Sequence, residues 1–403
     1  MRDYGCYVHD GTIVSPLQRR RPAPMRIAFV SYNFGEYCIR HATALSAHGK
    51  VLLLLPERIA ASHLDLLSPA VDFRAFQRVR LGQPVRQARQ LWTLLRHISE
   101  FRPDVLHFQL GHLWFNLALP LISTYPLVLS VHDAEHHPGD ENTAKTPQSI
   151  LDFGYLRADH LIVHAAHVAR RLQARLSISP ERIHHIPHIA IGERPSKAQV
   201  AESPHEVLFF GRIWPYKGLD YLIHAQPKIR AAVPEAHIVI AGRGEEMSTY
   251  RSLMRDPTGF EVHNRWIDDD ERATFFRRAA VVVLPYIEAS QSGIVPVAYS
   301  FGKPVVATRT GGLPEVVEHG ETGLLVPPRD ENALADAVIE LLRDGDLRRR
   351  LGRKGREKLL AEWSPEVVAR QTADVYRRAI DDRRASSYRR RPRPPAMFYD
   401  RQE

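Results

Sequence analysis

Cysteine is nearly absent. Cys6 and Cys38 are the only two in 403 residues, so no disulfide framework holds this chain, and a reducing compartment such as the cytoplasm fits. Long apolar runs are missing as well. No stretch of 18 or more apolar residues occurs, which excludes a membrane-spanning helix. Residues 1–24 lack the apolar core of a signal peptide and read as a polar tail rich in Arg and Pro. Lysine is scarce too: it supplies 8 of the 55 basic residues, leaving 47 Arg (55 − 8). Acidic residues number only 46, so the net charge is +9. That balance favours anionic partners (phosphates, nucleic acid or an acidic membrane surface) without choosing among them. Finally, no Gly-x-Gly-x-x-Gly follows the first apolar run at Ser31, which argues against a dinucleotide-dependent dehydrogenase.

What is present is α/β alternation. Ile27–Ser31, Val51–Leu55, Val105–Phe108, Leu127–Val131 and Leu161–Val163 are short and apolar on both faces, as central parallel strands are. Amphipathic stretches such as Ile39–His48 and Val85–Glu100 lie between them, the second ending before Pro103. Residues 191–205, polar with Gly and Pro, read as an interdomain linker. Alternation then resumes. Strands are expected at Val207–Phe210, His237–Ala241, Glu261–Val262, Val281–Leu284, Val305–Ala307 and Leu324–Val326, and helices at Leu219–Ala232, Asp270–Ala279, Leu313–Glu318 and Glu331–Leu342. The reading is two doubly wound parallel-sheet domains, 25–190 and 206–362, with a helix over 364–380 after them. Residues 383–403 hold 7 Arg against 2 acidic residues and read as a basic, weakly ordered tail. In such sheets ligands lie outside the carboxyl ends of the strands, so the chemistry is expected in loops that face a cleft.

Four segments there carry candidate chemistry. In Gly211-Arg212-Ile213-Trp214-Pro215-Tyr216-Lys217-Gly218 a strand ends, a loop with two cations follows, and a helix begins. Arg212 can fork two hydrogen bonds onto phosphate oxygens and Lys217 adds a point charge. The bland alternative is a solvated basic loop. In Glu288-Ala289-Ser290-Gln291-Ser292-Gly293-Ile294, small polar residues and backbone N–H groups sit where a helix starts, a good place for an anion, and Glu288 can accept from sugar hydroxyls. A ligand-free capping cluster explains the same residues equally well. Gly242-Arg243-Gly244 after a strand is weak alone. Gly302-Lys303-Pro304 and Gly311-Gly312-Leu313-Pro314-Glu315 are mostly explained by tight turns, with Thr310 placed to cap the helix that follows.

In order and spacing over residues 205–362 these segments resemble the donor domain of the retaining glycosyltransferases of family 4, of the GT-B fold. Residues 25–190 are similar more loosely, through Met25–Ser31, Pro103–His107 and Ser130-Val131-His132-Asp133, and Trp363 with the helix after it resembles the closing helix that returns to the first domain. The resemblance implies transfer of a sugar from a nucleotide-diphosphate donor to a sugar or lipid-linked acceptor, in glycan, polysaccharide or glycolipid assembly. It implies Arg212 and Lys217 on the donor diphosphate and Glu288 on the transferred sugar, with His132 near that sugar. Gly211, Ser290, Gln291, Ser292, Gly293 and Ile294 would meet the donor phosphates, and Gly242 and Gly244 the base. Two departures stand out. Val297 occupies the place of an acidic residue that holds the ribose, and the loop after the first strand, Asn33-Phe34-Gly35-Glu36, has one glycine where the family often has two.

No cofactor or metal is expected. His132 and His136 are spaced by four, with Asp133, Glu135 and His137 nearby, but they follow a strand rather than ride a helix. Asp268-Asp269-Asp270 opens a helix, where acids satisfy free N–H groups. His160 and His164 are expected to be structural. A non-catalytic nucleotide-sugar scaffold and another GT-B enzyme, such as an epimerase, remain as alternatives. Nucleic acid is not an expected partner, whereas the basic tails fit an anionic membrane surface as well as they fit plain solvation.

Overall fold

The computed structural model describes residues 24–137, 146–192 and 200–389; the expectations for the N-terminal tail, the middle of the linker and residues 390–403 lie outside the described residues. The apolar runs form two parallel sheets. The first holds β1 (Met25–Ser31), β2 (Gly49–Pro56), β3 (Val71–Phe76), β4 (Val105–Gln109), β5 (Leu127–Val131), β6 (His160–Val163) and β7 (Ile183–His185), in the order 3-2-1-4-5-6-7. The second holds β8 (Glu206–Phe210), β9 (His237–Gly242), β10 (Phe260–Asn264), β11 (Val281–Leu284), β12 (Val305–Thr308) and β13 (Gly323–Val326), in the order 10-9-8-11-12-13.

Alternate residues of each strand feed opposite faces, as the period of two requires. Ala28 and Val30 enter one core with Leu106 and Phe115, while Ile27 and Phe29 enter another with Ile39 and Val51. Val207 and Phe209 divide from Leu208 in the same way in the second sheet. Both faces are therefore covered by helices, and β4, β5, β6, β11, β12 and β13 are buried along their whole length. Strand order reverses between β1 and β4 and again between β8 and β11. Those two switch points are where loops part and leave a crevice.

The last helix, Pro365–Arg389, belongs to the first domain. Val368, Ala369, Tyr376 and Ala379 complete the core around Ile27 and Phe29. Thr372 Oγ1 lies 3.2 Å from His41 Nε2, and Tyr376 OH 2.5 Å from His107 Nδ1. The chain thus crosses between domains twice, and the crossings are stitched together where Ala190 N–H donates to the Trp363 carbonyl at 2.8 Å. This helix runs nine residues beyond the expected end at 380. The first part of the supposed basic tail is therefore helical, and Arg383 is anchored to Asp159 at 3.2 Å and to the Ser123 carbonyl.

Other expectations also change. Thr310 does not cap the next helix; its hydroxyl donates to the Ile287 carbonyl at 3.2 Å, and Gly312 holds the cap position. The first helix begins at Gly35 rather than Ile39. Strands β3 and β7 and the helices Gln148–Arg157, Ala166–Leu176 and Gly345–Glu362 had no counterpart in the sequence reading. Asp268 does cap its helix, accepting from Glu271 N–H at 2.9 Å.

Candidate active site

The cation loop after β8 and the acidic loop after β11 leave the second sheet on either side of its switch point, and their backbones are pressed together. Gly218 has φ +64° and a Cβ there would stand 2.0 Å from the Pro285 carbonyl oxygen. Tyr216 ties the loops further, its carbonyl accepting from Ile287 N–H at 2.8 Å and Glu288 N–H at 3.4 Å. Gly218→Ala is therefore expected to be destabilised by more than the roughly 1–2 kcal/mol of left-handed backbone strain. Gly302 is the control: it has the same φ of +64° with nothing within 4 Å of an added Cβ. Equal thermal-melting losses for Gly218→Ala and Gly302→Ala would show that the loop contact does not matter. Gly211, Gly242 and Gly244 form a second close approach, since a Cβ on Gly242 would meet Gly211 O at 1.8 Å and one on Gly244 would meet Ile213 O at 1.9 Å.

The two cations are held by aromatic rings. Arg212 Nη2 donates to Tyr216 OH at 2.8 Å. Lys217 Nζ stands 3.6 Å from the ring centre of Tyr286 and 5.0 Å from that of Tyr216, a favourable cation–π geometry. Burial raises the Tyr286 hydroxyl to about 12, so it stays a neutral partner, 3.3 Å from Ser292 Oγ. Ser292 Oγ also accepts from Ile294 N–H at 3.2 Å, just inside the helix Ile294–Ser300, with Gly293 at its cap.

The first domain meets these loops through its own carboxyl-end loops. His132, at the end of β5, is buried, with Gln109 Nε2 at 2.8 Å on one ring nitrogen and Gln291 Nε2 of the second domain at 3.5 Å on the other. Phe34 stacks on its ring with centroids 4.5 Å apart. Burial, with the neighbouring His188, lowers its pKa to about 3, so His132 is neutral near pH 7. Of the expected residues, Arg212, Lys217 and Glu288 converge around Tyr216, while His132 meets Gln291 from across the domains.

His137 links the two groups, and its role escaped the sequence reading. It lies flat on Tyr216 (4.7 Å, 13° between planes), with Nε2 3.1 Å from Asp133, Nδ1 3.4 Å from Glu288, and Ser290 Oγ at 3.4 Å. Burial would raise the Asp133 carboxyl, but the hydrogen bond and charge of His137 outweigh it and bring the value to about 2. Arg171 adds a second grip on Glu288 at 3.6 Å. The nearest sequence signal was the run His136-His137 after Asp133, which periodicity cannot place.

Two further carboxylates bridge the domains. Glu315 accepts from Ala166 N–H at 2.5 Å and His167 N–H at 2.8 Å, capping the first domain's helix Ala166–Leu176. Glu36, buried, accepts from Gly192 N–H at 2.8 Å and pairs with Arg272 and Arg40, each at 3.0 Å. Burial opposes its charge, yet Arg272, the Gly192 N–H and Arg40 together lower its pKa. Glu36, in the loop that carries one glycine, is thus an interdomain anchor. Val297 is buried, with Gly192 packed on its methyls, so the linker covers that position.

A model described as Glycosyltransferase Family 4 matches residues 35–189, and one described as Glycosyl transferases group 1 matches 204–344; together they take in 296 residues (155 + 141) of 403. A GDP-mannose-dependent alpha-(1-6)-phosphatidylinositol monomannoside mannosyltransferase of Mycobacterium tuberculosis is 36% identical over 197 residues, 46% of this chain and 48% of that protein. The chain spans about half the length of the first relatives it matches. A glycogen synthase of the same organism is 29% identical over 68% of this chain and 69% of its own length. Among solved structures, sucrose-phosphate synthase from Thermosynechococcus elongatus superposes with a TM-score of 0.69 at 19% identity, covering 89% of this chain and all of that one. Anabaena HepE in complex with UDP-glucose gives a TM-score of 0.63 at 17% identity, covering 88% of this chain and all of that one.

Proposed function

The chain belongs to the family 4 glycosyltransferases of the GT-B fold, and from that premise we propose that it moves a sugar from a nucleotide-diphosphate donor to a hydroxyl of a glycolipid or growing glycan. The observation that carries the proposal is the convergence of Arg212, Lys217 and Glu288 on Tyr216, at the switch point of the second sheet, opposite His132 and His137 of the first. As the bond from the sugar to the diphosphate breaks, negative charge grows on the leaving oxygen. Cations fixed there stabilise the transition state more than the ground state. In this reading Arg212 and Lys217 carry the electrostatic role that a divalent ion plays in other transferases, so transfer is metal-independent. Gly211, Ser290, Gln291, Ser292 and the amides at Gly293 and Ile294 receive the phosphates, the turn at Gly242 and Gly244 receives the base, and Glu288 receives the sugar hydroxyls. His132, neutral, donates or accepts a hydrogen bond at the sugar. The acceptor attacks on the face the diphosphate leaves, and the departing phosphate takes its proton, so the anomeric configuration is retained.

The test is a panel of GDP- and UDP-sugars. A bound donor raises the melting temperature, and the donor that does so is then offered glycan and glycolipid acceptors. NMR of the product is expected to show the donor's own anomeric configuration, with turnover unchanged by a chelator. An inverted product overturns the stereochemistry. A donor that binds but is neither hydrolysed nor transferred overturns the enzyme and leaves a nucleotide-sugar scaffold.

A further inference from the structure

The first domain carries a surface that neither core nor cleft uses. Residues 77–99 contain five Arg (78, 80, 86, 89 and 96) and no Asp or Glu. On the helix Pro84–Phe101, Val85, Arg89, Trp92 and Arg96 follow each other at spacings of four, three and four, which is one helical face. That face looks outward: Val85 is 76% exposed and Trp92 62%. The neighbouring segment 112–126 contains no Asp, Glu, Lys or Arg, and it presents Leu117 at 50% and Leu121 at 73% exposure. Trp114 Nε1 donates to the Leu81 carbonyl at 3.2 Å, joining the two segments. Exposed apolar side chains scattered singly are ordinary; four of them on adjoining elements, among arginines, are not. Arg96 is neutralised by Glu100 at 2.7 Å. Among the described residues none of Arg78, Arg80, Arg86 and Arg89 pairs with a carboxylate. Arg78 donates to Asn33 Oδ1 at 3.3 Å, which ties this segment to the loop that follows β1.

We propose that the face formed by Val85, Arg86, Arg89, Trp92, Leu117 and Leu121 docks on an anionic lipid bilayer. Arginines draw the surface to negative headgroups, an interfacial Trp and the leucines enter the headgroup layer, and the cleft opens where a lipid-borne hydroxyl would stand. The inference rests on the transferase reading for its purpose, but its geometry stands apart from the donor site. It also moves the membrane contact from the chain termini to a folded helix.

The test uses the full chain and vesicles of phosphatidylcholine with or without phosphatidylglycerol. Sedimentation with the anionic vesicles is expected, weakening as salt rises, with little on phosphatidylcholine alone. Arg86→Glu with Arg89→Glu should bind at least ~30-fold more weakly, given what each basic residue contributes at such a surface, and Trp92→Ala should also bind more weakly. Melting temperature and donor-induced stabilisation should stay at the parent's values, because these side chains are exposed and outside the cleft. The proposal is overturned if the parent ignores anionic vesicles, or if the double variant binds them as the parent does. It is equally overturned if the arginines instead support RNA binding or self-association with no vesicle binding. Loss of transfer in Lys217→Ala is a separate reading, so failure of the docking surface and failure of the transferase assignment are told apart.

Discussion

Replacing Lys217 by Ala is expected to lower the turnover number for sugar transfer about 100- to 1000-fold, the usual cost of removing one preorganised donor of charge stabilisation from a transition state. The ammonium is already in place before donor arrives, 3.6 Å from the Tyr286 ring centre and on the loop that Tyr216 locks to the acidic segment. Reorganisation during reaction is therefore small. The loss should fall on kcat as well as kcat/KM, because the charge it opposes develops as the bond breaks. Lys217→Arg should recover only part of it, since a broad planar guanidinium spreads the charge that the ammonium concentrates at one point. Melting curves of the variants should overlay the parent's, because a half-buried side chain is removed without emptying a core. A turnover within about tenfold of the parent, with the fold intact, would remove the diphosphate from this loop.

The second large effect is acid instability well above the pH at which carboxylates protonate. Five histidines gather beneath the cleft loops of the first sheet. His107 stacks on Phe29 at 4.6 Å, and His132, His164 and His188 lie within 4.8–6.2 Å of one another around Tyr37, with His41 at its edge. Burial lowers His41 and His132 to about 3, with His188 nearby adding to it, and holds His107 and His164 well below 6.5. The folded state therefore refuses protons that the unfolded chain accepts near pH 6.5. Stability is fully present above that value and is lost progressively as pH falls from 6.5 towards the folded values. At pH 5 each of His41 and His132 removes about 2 kcal/mol, together about 4, a large part of the 5–15 kcal/mol that holds most folds. Asp133, held at about 2, contributes its own loss only below about pH 4. The melting temperature should fall by roughly 10 °C between pH 7 and pH 5. Equal melting at the two values would mean that the imidazoles reach solvent in the native state.

Strand runs such as Val281–Leu284 and Val305–Ala307 were legible because buried parallel strands are continuous apolar runs bounded by polar turns. The helix Gly345–Glu362 was not, and the cause is specific. It is highly charged and carries Gly352 and Gly355, which look like breakers. In the fold, a Cβ on Gly352 would meet Gly302 O at 1.9 Å, and one on Gly355 the Tyr299 ring at 2.6 Å. These glycines are contact points, and only tertiary structure shows that. Strand β7 is three residues at a sheet edge, too short to carry a period. In the site, Arg212, Lys217 and Glu288 were legible as types after strands. Glu36 and Glu315 were not, because a carboxylate that bridges domains has its partners more than a hundred residues away.

The double crossing beside Ala190 and Trp363 has a consequence for how the chain is made. A ribosome delivers β1 to β7 long before the helix Pro365–Arg389, yet Val368, Ala369, Tyr376 and Ala379 fill the core over Ile27 and Phe29. The first domain therefore waits with an open apolar face while the whole second domain is synthesised. Domains that emerge first usually fold first; here the second can close on its own strands, and the first is sealed last. Expressing residues 25–190 alone should give an aggregation-prone half, and adding residues 365–389 back in trans should rescue its solubility.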